Sequence, residues 1–439
     1  MLLIHTHTVT HRNKYAFNLI FKDILGVDFA LTSDRALFKE HKGAKISYTH
    51  IPVGDELFFC SRNLLFETGI TDQNILIFEH NNTKVFYPTG KNSALPFDVF
   101  AASFYLVSRY EEYLPHIRDE HDRFEAKNSV AYANGFLRIP VVNIYAQWVK
   151  SLILKAFPSY SFPEKKYSFV STIDIDNAYA YSKKGFIRSL GGYLRSLVSL
   201  DFDELYLRTQ VLMNLKKDPY DTYEFQLQLL KQYKFKSIYF LLVGDYGLND
   251  KNLSISNRSF QSLIKMLADY AQVGIHPSYG SNANKFKLKK EIDALSKVLH
   301  RDVVSSRQHF LKLKLPETYR NLIDSDIEND YTMGYSSDVG FRASICTPFN
   351  FYDLDTELET KLKVHPFAFM EGTLKYNMQI QPNQAMDVIK PLIEEVKKVD
   401  GVFISLWHND SLNNGYIWKG WRMIYEDMVK YAIETTFSE

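Results

Sequence analysis

The sequence predicts an α/β protein in two regions, a smaller one followed by a larger one. Three observations carry that prediction. Short runs rich in β-branched and aromatic residues alternate with stretches of helical periodicity. A Pro-, Ser- and Lys-rich stretch, FPSYSFPEKK at 157–166, divides the 439 residues. Histidines and acids recur where the apolar runs end, which is where parallel α/β folds keep their chemistry.

In the first region, 1–160, candidate strands fall at 2–5, 28–32, 45–50, 74–78 and 84–87. Residues 97–114 read as a helix, because Phe100, Phe104, Leu106 and Val107 form a broad apolar stripe. Residues 145–157 read as a closing helix. In the second region, 165–439, a strand at 167–173 precedes a helical stretch, 185–233, broken at Asp218 and Pro219. Strand 237–243, helix 258–270, strand 273–276, helix 286–299 and strand 303–305 follow. The chain ends on helix 383–399, strand 402–407 and helix 421–435. Such alternation implies a parallel sheet with helices outside, open or closed into a barrel.

Composition excludes several classes. At 46% hydrophobic residues, the chain can bury a core and is not a disordered chain. Its 52 basic and 51 acidic side chains leave a net charge of +1, which argues against a general nucleic-acid binder. No window holds the ~18 consecutive apolar residues of a membrane helix. The opening MLLIHTHTVTHRNKY lacks the pattern of a secretory signal, so a soluble, cytoplasmic protein is expected. Cys60 and Cys346 make neither a disulfide framework nor a cysteine metal site. The 29 Tyr and 32 Phe supply either a large core or stacking surfaces for flat ligands and sugar faces.

Four strand ends in the second region carry reactive residues. In STIDIDNAYAY, Asp174 and Asp176 lie two apart, so a strand points both carboxylates to one side. Such a pair can divide labour, one holding a metal and the other taking a proton from water, or can merely cap and solvate a loop. In GIHPSYGSN, Pro277 ends pairing just after His276, whose imidazole suits a zinc-like ion or a core hydrogen bond. In SSRQHFLKL, Arg307 can orient a carboxylate, and His309 can ligate or donate. In VFISLWHNDSL, His408 emerges from a buried run as a candidate general acid or a plain loop histidine.

Taken in order, D-x-D, H-P-S, R-x-H and L-W-H resemble the motifs of the polysaccharide deacetylase (NodB-homology) family, over about residues 165–439. HPSYGS, SRQHFL, DYTMGY, GFRASICTPFNFYD and LWHND look like a bacterial subgroup with an extra N-terminal domain. The resemblance implies a distorted (β/α) barrel of the NodB-homology type, preceded by a smaller α/β domain. It further implies a metal-dependent hydrolase that removes an acyl group, N-acetyl foremost, from a carbohydrate. By it, Asp174 is the base, Arg307 steers that base, Asp176 and His276 hold a divalent metal, zinc foremost, and His408 is the general acid. This sequence departs from the family pattern twice: Gly280 stands where a second metal histidine belongs, and His309 stands where the third motif has proline. The expectation is that His309 supplies the missing ligand. The alternative is a barrel that has lost its metal and only binds glycans.

Other residues are open between two roles. Arg342 binds a substrate carboxylate or phosphate, or forms a structural salt bridge. Tyr279, Phe310, Trp407 and Trp418 stack on sugar faces, or fill the core. Glu371 partners His408, or is a surface acid. Arg109, Glu111 and Glu112 form a solvated face or an interdomain contact. His5-Thr6-His7 is an H-x-H pair in a region too short for a complete barrel of ~250 residues, so a metal is not expected there. Rival activities are an amidase on a small non-carbohydrate amide and a metal-free glycoside hydrolase. Asp174 and Asp176 lie too close together to flank a glycosidic bond.

Overall fold

The computed structural model describes residues 1–434; Thr435, the end of the expected final helix, and the rest of 435–439 lie outside the described residues. Strands β1 (Leu2–Thr6), β2 (Phe29–Thr32), β3 (Lys45–Thr49) and β4 (Leu57–Cys60) form a parallel sheet in the order β2-β1-β3-β4. Three of these match expected strands; β4 was not anticipated. The strand expected at 74–78 is instead irregular, ending in a hairpin of β5 (Phe78–His80) and β6 (Thr83–Val85). Asn81 and Asn82 turn it with φ of 47° and 58°, the left-handed pair that a two-residue hairpin needs.

The helix expected over 97–114 is shorter, Val99–Val107. Asp98 starts it by accepting from the backbone N–H groups of Phe100 and Ala101, and every residue in it is buried. Arg109 ends it by taking φ 55°, which turns its guanidinium inward toward Glu111 and Glu112. Helix Val141–Ala156 closes the region.

The second sheet has nine strands: β7 (Ser168–Ile175), β8 (Lys236–Leu242), β9 (Gln272–His276), β10 (Ser305–Ser306), β11 (Asn329–Asp330), β12 (Phe349–Asp353), β13 (Leu358–Val364), β14 (Phe369–Met370) and β15 (Val402–His408). Their order is β12-β13-β11-β10-β9-β8-β7-β15-β14, parallel except for the β12–β13 pair. Among the described residues no ladder joins β12 to β14, so the closed barrel expected from the sequence is not seen as a closed ring of hydrogen bonds. Helices 258–268, 285–299 and 382–397 lie between strands, and helix 421–434 follows β15, as expected. The helical stretch after β7 is three helices, Phe186–Val198, Phe202–Leu212 and Tyr223–Tyr233, with a further break where Leu200 takes φ 53°.

Strand parity separates two cores. On one face, Val170 of β7, Ile238 and Phe240 of β8, and Ile404 and Leu406 of β15 pack with Leu311, Tyr331 and Phe367 in a small cluster. Tyr331 follows β11 and Phe367 lies in the connection from β13 to β14, so residues from both halves of the sheet meet on this face. The alternate residues, among them Phe169, Ile173, Tyr239, Leu241, Phe403 and Trp407, join the large core beneath the helices.

That large core runs through both regions. Arg12, 1% exposed, crosses between them, donating to Glu357 and to the carbonyls of Leu64 and Gly69. Glu112 accepts from Arg109 within its own region and from Arg342 across the same boundary.

Candidate active site

The small cluster is capped at its carboxyl end by Asp174, Arg307 and His408, which follow inward-facing positions of three strands. Arg307 is fully buried. It donates from Nη1 to Asp174 Oδ1 at 3.0 Å and to Thr172 Oγ1 at 2.6 Å, and from Nε to the Tyr331 carbonyl at 2.9 Å. Its guanidinium also lies over Phe240, 4.7 Å from the ring centre. Asp174 is therefore held in one orientation, 2% exposed, with Oδ2 3.7 Å from His276 Nε2.

Asp176, two residues on and 38% exposed, faces the same side. Its Oδ1 is 3.2 Å from His276 Nε2, and its Oδ2 is 3.5 Å from His309 Nε2. The ligand atoms of Asp176, His276 and His309 all lie within 4.8 Å of one another, the one such group among the described residues. Each imidazole is anchored through its other nitrogen: His276 Nδ1 to the Arg307 carbonyl at 2.6 Å, His309 Nδ1 to Asp250 Oδ1 at 3.0 Å. Both Nε2 atoms thus face Asp176, whose Oδ1 is buried without a hydrogen bond. An anchored imidazole pair beside an orphaned carboxylate oxygen fits a divalent cation. Gly280 lies outside this group: it is exposed, and a side chain built there would meet Lys287.

The electrostatics follow from this packing. Burial opposes a charge on Asp176, but the charge of His309, the close approach of the His276 and His309 nitrogens, and the charge of His408 hold it well below the usual carboxylate range. Burial likewise opposes protonation of His309, yet Asp176 and Asp250 together raise it to about 9. His408 donates from Nδ1 to Glu371 Oε1 at 2.8 Å, and the same oxygen takes the His408 backbone N–H at 2.8 Å. Against the cost of its own burial, Glu371, Asp176 and Asp174 push His408 well above an ordinary histidine. Its Nε2 points into the site, 3.9 Å from Asp176 Oδ2. Asp410, also on the cavity wall, is raised to about 6 by burial and by the charges of Asp176 and Glu371, with His408 opposing.

A cavity of ≈ 410 Å³ opens over these groups. Phe310, Leu406, Met370 and Trp418 give it apolar walls, and Asn377, Ser336 and Tyr376 give it polar ones. His121 and Arg123 of the first region also line it. Arg123 is fixed there by Asp119 Oδ2 at 2.7 Å and the Phe310 carbonyl at 2.6 Å.

Two expected substrate contacts lie elsewhere. Trp407 is fully buried against Phe369, Trp421 and Tyr425. Strand parity explains this: with His408 facing inward, the residue before it must face the helices. Arg342 is 1% exposed and donates to both oxygens of Glu112, at 2.9 and 2.6 Å, and to the Gly334 carbonyl. It is a structural ion pair, and with Arg109 it holds Glu112 down to about 2 against the effect of burial. Tyr279 stands behind the cavity wall, edge-on to Phe310 and within 3.3 Å of His121 Nδ1. Asp250, Asp410, His121 and Arg123 were not anticipated. Asp250 is five residues beyond Asp245, the first acid after β8, which is exposed and pairs with Lys290.

Comparison with known proteins gives two different results for the two regions. Residues 2–158 match the model of a family of unknown function, DUF7033. No curated protein matches the chain. Among solved structures, the chain is similar to a protein from Mycobacterium smegmatis described as a polysaccharide deacetylase, at 12% identity and a TM-score of 0.38, over 62% of this chain and 85% of that one. It is similar to a polysaccharide deacetylase from Bacillus cereus at 11% identity and a TM-score of 0.31, over 62% and 89%. A pseudoenzyme of carbohydrate esterase family 4 from Bacillus anthracis is similar at 13% identity and a TM-score of 0.30, over 62% of each chain.

Proposed function

We propose that this protein is a metal-dependent hydrolase that removes an acyl group, N-acetyl foremost, from a carbohydrate or sugar conjugate. In this reading, residues 1–160 are an accessory α/β domain, and residues 165–439 are a distorted (β/α) barrel whose wrapped sheet carries the site. The observation that carries the reading is the convergence of Asp176, His276 and His309, with each imidazole anchored through its far nitrogen.

Asp176, His276 and His309 would hold a divalent ion, zinc foremost given two imidazoles and one carboxylate. When bound, such an ion supplies Lewis acidity at the acyl carbonyl and acidifies water. Asp174 takes the proton of the attacking water; Arg307 keeps its carboxylate aimed. His408 carries a proton on Nε2 toward the cavity and delivers it to the leaving amine, with Glu371 fixing the ring through Nδ1. His121 and Arg123 make the accessory domain part of the substrate-binding wall.

Asp174→Asn tests the assignment. The variant should keep its fold, though melting lower because Arg307 loses its buried counter-charge, and should bind metal like the parent, but lose roughly 10²–10⁴-fold in acetate release from acetylated oligosaccharides. Undiminished turnover would remove Asp174 as the base. Glycan binding by a parent protein that takes up no zinc would replace catalysis with recognition.

A further inference from the structure

The helix Phe186–Val198 is turned inside out. Surface helices bury their apolar stripe; here Phe186, Ile187, Leu190, Leu194, Leu197 and Val198 all face solvent, and Ile187 and Val198 are 85% and 86% exposed. The one buried residue of the helix is Ser196. Its small, polar side packs on the next helix: Ser196 donates to Glu204, and Arg208 lies where any side chain at Gly192 would collide with it. Leu200, Phe202, Tyr206, Met213 and Leu215 extend the exposed apolar surface across the hairpin.

Charge accompanies that surface. Residues 183–217 carry seven basic side chains against three acidic ones, whereas the whole chain is only +1. Lys183, Arg195, Lys216 and Lys217 are exposed, as are Asp201 and Asp203 at the turn between the helices. An exposed apolar arc flanked by basic residues is the pattern of a helix that lies in a membrane interface. A cavity of ≈ 910 Å³ runs from the hairpin, at Arg188, Gly192 and Arg195, to Asp176 and Asp410 of the site.

We infer that residues 185–217 are a docking element for an anionic lipid bilayer, and that docking places the mouth of this cavity at the membrane surface. The excess of positive charge favours anionic lipid over a second copy of this chain, which would bring the same basic residues together.

Sedimentation of the full chain with vesicles tests the inference independently of any catalysis. The protein should pellet with vesicles of phosphatidylcholine and phosphatidylglycerol, and far less with phosphatidylcholine alone. Ile187→Asp with Val198→Asp should cut binding about tenfold or more without lowering the melting temperature, since both residues are exposed. Lys183→Glu with Lys216→Glu should weaken it less, and added salt should weaken binding of the parent. A parent that stays in the supernatant, or an aspartate variant that pellets like the parent, would overturn the inference. So would a dimer that the aspartate variant splits and neither kind of vesicle binds.

Discussion

The two sheets pose the same question and answer it differently. The first is parallel, the second is parallel but for the β12–β13 pair, and each carries histidines at its carboxyl end. In the first, His5 packs on Phe38 with ring centres 5.1 Å apart, and His7 stacks on Phe66 at 4.1 Å. Burial lowers both below an ordinary histidine, and neighbouring cations and histidines add to the effect. In the second, His309 and His408 are also desolvated, yet they are raised, because Asp250, Asp176 and Glu371 stand within reach of their nitrogens. A strand-end histidine becomes chemically poised when an acceptor holds its far nitrogen; His5, with neither nitrogen bonded, packs as an aromatic core residue.

The sharpest way to break this contrast is to remove the shared carboxylate. Asp176→Asn should abolish zinc uptake and leave roughly 10²–10⁴-fold less activity, as read by metal analysis and acetate release together. Zinc retained at parental stoichiometry would place the ion elsewhere.

Removing an anchoring carboxylate should do less. Asp250→Asn should weaken zinc binding about 10–100-fold, measured by competition with a chelator. The pH dependence gives a second reading. His309 is held protonated up to about 9 in the metal-free protein, so a ligating cation must displace that proton. Apparent affinity should therefore rise with pH until about 9 and then level. With Asp250 neutralised, His309 loses one source of its elevation, so levelling should come at lower pH.

The smallest effect belongs to the first sheet. His5→Phe should leave zinc content and turnover unchanged and shift stability by about 1 kcal/mol or less at neutral pH. Because the folded pKa of His5 is lowered, the parent loses stability as pH falls below the unfolded value of about 6.5. The variant should lose less over that interval in urea titrations. A loss of zinc on this substitution would erase the distinction between the sheets.

How much of this was legible in the sequence depended on element length and on parity. Strands of five to eight residues such as β7, β9 and β15 show their period and end on Asp174, His276 and His408. The two-residue strands β10, β11 and β14 are too short to display any period. The same parity that pairs Asp174 with Asp176 also rules Trp407 out of the site once His408 is in it. Asp250 was hidden because the loop after β8 is irregular, so distance from the strand end says nothing about direction. His121 and Arg123 were hidden because they reach the cavity from the other region, beyond the range of any local pattern.

Glu112 and its two arginines carry a consequence for how this chain can be inherited. A gene beginning near residue 165 would encode every proposed ligand and proton carrier, yet would strand Arg342 in a nonpolar setting without its counter-charge. It would also strip two residues, His121 and Arg123, from the wall of the cavity. The amino-terminal third is therefore not a detachable adaptor. Recombination that swaps it changes the cavity wall and structural integrity in a single event, and selection acts on the two together.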